Sequence, residues 1–116
     1  MSASWRPQTR LVHAGMKRSP LGETSEALFL TSGFTYERAE DAEGRFADRL
    51  PGFMYSRVGN PTVRAFEERM ADLEGAEDGA ATATGMAAVH GSLMCQLRAG
   101  MRVVSARLLF GSCHYV

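Results

Sequence analysis

The chain has 116 residues, 45% hydrophobic and 22% charged, and its 13 basic and 13 acidic side chains sum to zero formal charge. This is ordinary globular composition, long enough for one small core, and it carries no electrostatic footprint for nucleic acid or an anionic membrane surface. No run approaches the ~18 apolar residues of a spanning helix, and the opening MSASWRPQTR has no apolar stretch behind its charges, so no secretory leader is expected.

Residues 1–36 do not pattern as a compact unit. Residues 9–15, TRLVHAG, are short and mixed, and residues 17–24 carry the charge, Pro and Gly of a loop. Residues 28–34, LFLTSGF, read as an extended β-type segment with no partner nearby in sequence. Such a segment packs on another domain or another subunit. In residues 37–50, Ala39, Ala42, Phe46 and Leu50 fall at helical spacing, which predicts a short solvated helix weakened by Gly44. Pro51-Gly52 then marks a turn.

Residues 53–62, FMYSRVGNPT, are more informative. Asn60 suits an N-cap, and Pro61 suits the first helical position, where its missing N–H costs nothing. Behind them Val63, Phe66, Met70 and Leu73 form an apolar stripe, Arg64, Glu67, Glu68, Arg69 and Asp72 are left to face water, and Gly75 fits C′. The spacing predicts a helix over Pro61–Glu74. Just before it, Tyr55 and Arg57 stand two residues apart on an expected extended loop and so point the same way. A phenol and a guanidinium so placed can hold an oxyanion; the same trio, YSR, also occurs as surface decoration.

Residues 79–84, GAATAT, are small and uncharged, as in a buried strand. After Gly85, the residues Met86, Val89, His90, Leu93, Met94 and Leu97 recur at helical spacing, with His90 expected in the core. A strand that passes through glycine into a helix offers free backbone N–H groups and the positive end of the helix dipole to an anion, most often phosphate. An ordinary tight βα turn has the same pattern. Ala99-Gly100 turns the chain, and residues 101–106, MRVVSA, read as a second strand. Strand, helix and strand over 78–106 predict one right-handed βαβ unit of a parallel sheet, hence an α/β fold. Ligands of such sheets bind outside the C-terminal strand ends. Thr84–Met86 and the residues after the second strand, Leu109 and Phe110, then share one edge. Phe110 there is either a stacking ring for a flat cofactor or core.

The histidines His13, His90 and His114 are too scattered for a metal set, and no Cys/His group has zinc spacing, so no metal is expected. Cys95 and Cys113 read as free thiols of a reducing cytosol. The final run, LLFGSCHYV, is largely apolar with no polar tail, and reads as a chain cut inside a domain.

Three stretches taken together, Tyr55–Thr62 (YSRVGNPT), Ala83–Ala88 (ATGMAA) and Leu109–Ser112 (LFGS), resemble in order and spacing the Cys/Met-metabolism family of pyridoxal-phosphate enzymes. The resemblance covers nearly the whole chain. It implies an α/β chain made of an N-terminal extended arm (residues 1–60) contacting a neighbouring subunit. The start of an aspartate-aminotransferase-like, fold type I large domain (residues 61–116) follows. The cofactor implied is pyridoxal 5'-phosphate. Gly85 and Met86 would offer it backbone N–H groups, Tyr55 and Arg57 would reach the phosphate bound by a neighbouring subunit, and Phe110 would stack on the pyridine. The family places a tyrosine at the position of Phe110; phenylalanine keeps the stacking without the hydroxyl. The family's Schiff-base lysine matches nothing here. Lys17, the one lysine, matches no family motif, so no catalytic residue is assigned and this chain alone is expected to be inactive.

Within the family, EALFLTSGFTY and LLFGSC are most similar to the O-succinylhomoserine sulfhydrylase branch. That branch makes homocysteine for methionine biosynthesis by γ-replacement of succinate with sulfide. The partners implied are an O-acylhomoserine, sulfide and further copies of the chain in a cytoplasmic homotetramer, with no nucleic acid and no membrane. The cystathionine γ-synthase, O-acetylhomoserine sulfhydrylase and methionine γ-lyase branches remain alternatives. So do a non-catalytic fragment that acts only in subunit association and an unrelated α/β phosphate-binding module.

Overall fold

The computed structural model describes residues 4–116. They fall into two compact units, the first closing at Gly79 and the second running Ala80–Val116.

The first unit holds three helices: α1 (Pro7–His13), α2 (Ala39–Phe46) and α3 (Pro61–Glu74). Sequence periodicity missed α1. Its signal is the bracketing pair: Pro7 at the helix start, and Gly15 just beyond the end in the left-handed region at φ 73°. The amide of Ala14 bonds the carbonyl of Arg10 at 2.8 Å and closes the last turn.

Helix α3 has the expected bounds. Asn60 Oδ1 accepts from the Thr62 amide at 2.8 Å, and Gly75 ends the helix in the left-handed region at φ 64°. The expectation for its charged residues is corrected. They do not all face water, because α1 and the segment behind it pack on that side of α3. Arg10 Nε donates to Asp72 Oδ2 at 2.8 Å, and a second Arg10 nitrogen donates to the Asp72 carbonyl. Lys17 Nζ donates to Glu68 Oε1 at 2.7 Å. Arg69 Nε donates to the Ala14 carbonyl at 3.0 Å and pairs with Glu26. The N-terminal segment brings Arg10, Lys17 and the Ala14 carbonyl to this helix, so the charged side of α3 satisfies it and the apolar stripe does not. Val63, Phe66 and Met70 are exposed as a result. Among the described residues the buried apolar side chains are Ala14 and Ala71. The expected division at residue 60 concerns a neighbouring subunit; within one chain, α3 packs with α1.

The expected extended segment over 28–34 finds its partner within the chain. Gly33 and Tyr55 form an antiparallel bridge. The Phe34 amide bonds the Met54 carbonyl at 3.2 Å, and the Ser56 amide bonds the Ser32 carbonyl at 2.9 Å. Helix α2 forms despite Gly44. The chain turns back beyond it, and the amides of Arg49 and Leu50 both reach the Gly44 carbonyl, at 2.8 and 3.1 Å. The Leu50 side chain then lies where a Cβ on residue 44 would be.

The second unit holds α4 (Gly85–Met94) and a short 3-10 helix, Gly111–Tyr115, in contact with one another. The strands expected at 79–84 and 101–106, and with them the βαβ unit, do not form among the described residues. A parallel strand exists only through its ladder, and neither segment meets a partner here. His90, expected in a core, is exposed, because no element of this unit covers that side of α4. No helix among the described residues is long and apolar enough to cross a membrane.

Candidate cofactor-binding site

Tyr55 and Arg57 lie in a turn rather than on the extended loop expected. The amides of Val58 and Gly59 both bond the Tyr55 carbonyl, at 2.8 and 3.1 Å. The two side chains nevertheless share one side: Arg57 Cζ lies 4.7 Å from the centroid of the Tyr55 ring. That is cation–π distance. Both residues are exposed. Stacking restrains the guanidinium without using any of its N–H donors, which stay available to an oxyanion.

Ser56 and Asn60, which sequence reasoning did not place at the site, hold this turn. Ser56 Oγ donates to the Thr31 carbonyl. Asn60 is buried and its Nδ2 donates to the Phe29 carbonyl and to Ser56 Oγ, both at 2.9 Å. Thr62 Oγ1 accepts from the Phe29 amide at 2.9 Å. Two cap residues of α3 thus claim both backbone groups of Phe29. No sequence signal announces the link, since residues 29 and 60 lie on separate segments. Asn60 was legible only as a cap.

The start of α4 provides the second group of candidates. Thr84 is the N-cap, and its Oγ1 accepts from the Ala87 amide at 3.1 Å while its carbonyl accepts from the Ala88 amide at 3.1 Å. A threonine just before a periodic apolar run is the signal for that cap. The cap takes the third and fourth amides of the helix. The amides of Gly85 and Met86 carry no hydrogen bond among the described residues. A Cβ built on Gly85 meets nothing within 4 Å. No neighbour within the chain therefore requires glycine at this position. Two free N–H groups, the positive helix end and the open space at Gly85 suit a phosphate.

Phe110 belongs to the same unit as Gly85 and Met86. It precedes the 3-10 helix, whose first bond runs from the Cys113 amide to the Phe110 carbonyl at 2.8 Å. Its ring is 72% exposed, so within this chain it is not core. Lys17 belongs to the first unit, in an exposed ion pair with Glu68. Cys95 and Cys113 are free thiols. No group of His, Cys, Asp and Glu among the described residues is arranged to hold a metal ion.

A family model described as "Cys/Met metabolism PLP-dependent enzyme" matches residues 8–116. An O-succinylhomoserine sulfhydrylase of Mycobacterium tuberculosis is 55% identical over 105 residues, which are 90% of this chain and 26% of that protein. One of Pseudomonas aeruginosa is 51% identical over 104 residues, 90% of this chain and 26% of that protein. A crystal structure from Campylobacter jejuni, described as an O-acetylhomoserine (thiol)-lyase with N'-pyridoxyl-lysine-5'-monophosphate, superposes with a TM-score of 0.75 at 27% identity, covering 78% of this chain and 23% of that one. The chain spans about a quarter of the length of the curated relatives it matches.

Proposed function

The chain belongs to the Cys/Met-metabolism family of pyridoxal-phosphate-dependent enzymes, and from that membership we propose that it is the N-terminal part of a sulfhydrylase that replaces the γ-succinate of O-succinylhomoserine with sulfide, yielding homocysteine and free succinate. The observation that carries the reading is the start of α4, where the amides of Gly85 and Met86 are unpaired among the described residues and nothing lies within 4 Å of a Cβ placed on Gly85. The 55% identity to a sulfhydrylase of that specificity supports the choice of branch.

The residues present fit the cofactor. Gly85 and Met86 would hold its phosphate through their N–H groups, and the end of the α4 dipole would favour the negative charge. Tyr55 and Arg57 would serve the phosphate held by a neighbouring subunit, with Arg57 supplying charge-assisted bonds and Tyr55 steadying it. Phe110 would offer its ring to the cofactor and, lacking a hydroxyl, would neither hold nor move a proton. Bound pyridoxal phosphate supplies the electron sink for charge developed on the amino acid. No residue of the 116 is assigned the covalent step. Residues 61–116 begin a larger α/β domain of fold type I, and residues 1–60 are the intersubunit arm of a cytoplasmic homotetramer.

The test is the full-length gene product, reconstituted with pyridoxal phosphate and assayed with sulfide against O-succinyl- and O-acetylhomoserine. Homocysteine formed preferentially from the succinyl ester supports the reading. Preference for the acetyl ester moves the protein to the O-acetylhomoserine branch. Methanethiol released from methionine without an acyl acceptor moves it to the γ-lyase branch.

A further inference from the structure

We propose that Asn60, acting through Ser56, is a positioning residue for the phosphate-binding pair Tyr55 and Arg57. The inference rests on the reading of that pair given above. It begins from an excess of hydrogen bonding at a helix cap. Capping α3 needs only one acceptor, and Asn60 Oδ1 provides it to the Thr62 amide at 2.8 Å. Aspartate or serine would cap as well. Asparagine adds two donors, and both are used: one on the Phe29 carbonyl and one on Ser56 Oγ, each at 2.9 Å. Ser56 Oγ in turn donates a hydrogen bond to the Thr31 carbonyl. Both donors of the amide group are therefore used, in a residue only 7% exposed.

Ser56 is the residue between Tyr55 and Arg57, so its anchoring fixes the backbone that carries both. The turn is otherwise exposed. Its other ties are the bridge of Tyr55 to Gly33, the Ser56 amide bonded to the Ser32 carbonyl, and the bonds from the Val58 and Gly59 amides to the Tyr55 carbonyl. A cap without donors would leave α3 intact and let the turn move relative to it. Asn60 touches neither cofactor nor substrate; it acts by holding the residue between two that do.

The test compares Asn60→Asp, Ser56→Ala, Arg57→Ala and the double variant Asn60→Asp with Arg57→Ala. Each is made in the full-length gene product, and the pyridoxal-phosphate dissociation constant and thermal midpoint are measured together. Asn60→Asp keeps the acceptor for Thr62 and removes both donors. It is expected to weaken cofactor binding about tenfold, and Ser56→Ala, which leaves the cap untouched, about threefold. The double variant is expected to bind little worse than Arg57→Ala alone, because once the guanidinium is gone the hold on its backbone has little left to contribute. A purely structural role predicts lowered midpoints with unchanged affinity, or additive losses in the double variant, and either result overturns the inference. Should Asn60→Asp fail to fold, Ser56→Ala and its own double with Arg57→Ala decide in the same way. If Arg57→Ala alone leaves affinity unchanged, the phosphate reading of the pair fails, and this inference falls with it.

Discussion

Gly15 lies so close to the carbonyl of Ala65 that a Cβ on residue 15 would overlap the oxygen. The neighbour is backbone in the middle of α3 and cannot rotate away, and Gly15 also holds a positive φ of 73°. Gly15→Ala is therefore expected to destabilise the fold by more than about 2 kcal/mol, adding left-handed strain to the overlap. Gly44 is the control. There the Cβ would meet the Leu50 side chain at 2.6 Å, which can swing aside, and φ is not positive. Gly44→Ala is expected to cost less than about 1 kcal/mol, since the gain in helix propensity offsets the repacking. Denaturant melts of the two variants check the contrast.

Asp72 carries a pH dependence. The hydrogen bond from Arg10 holds its carboxyl below the usual 3.8, and the Arg10 charge acts in the same direction. The folded state therefore binds this proton less readily than the unfolded chain does. Its contribution is complete above the usual value and disappears as pH falls through the lowered one. Asp78, held down by Arg64 and by the Gly79 amide, behaves likewise. Asp72→Asn is expected to flatten the loss of stability below about pH 4 while leaving its slope near pH 7 unchanged. Melting midpoints against pH for the two proteins measure this.

Gly85 predicts a separation of folding from binding. A side chain at this position meets nothing in the chain. Gly85→Val is therefore expected to leave the apoprotein midpoint within about 2 °C while weakening pyridoxal-phosphate binding more than about tenfold, because the branched side chain fills the space in front of two free amides. Equal loss in both measurements would place the glycine in packing instead.

Phe110 predicts tolerance of a hydroxyl and intolerance of a missing ring. Phe110→Tyr is expected to hold the cofactor within about threefold of the parent, and Phe110→Ala to lose about tenfold, in line with the worth of one aromatic contact. Cofactor titration of the full-length protein distinguishes the two.

Some of this was legible because it is local. Helix α3 and its caps follow from Asn60, Pro61 and Gly75, whose backbone preferences act within one turn. The same locality made the start of α4 at Gly85 readable, and α1 was readable in principle from Pro7 and Gly15. What the tertiary structure decided is which surfaces meet. Periodicity picked out the apolar stripe of α3, yet its charged side receives α1 and the segment behind it, because Arg10, Lys17 and the Ala14 carbonyl find partners in Asp72, Glu68 and Arg69. Segments 79–84 and 101–106 have strand composition and no strand, since a ladder is a relation between segments and not a property of either one. The tie from Asn60 to Phe29 likewise spans two stretches of sequence with no shared pattern. Preferences of single residues travel with the sequence; hydrogen bonds between distant segments exist only after the chain has closed on itself.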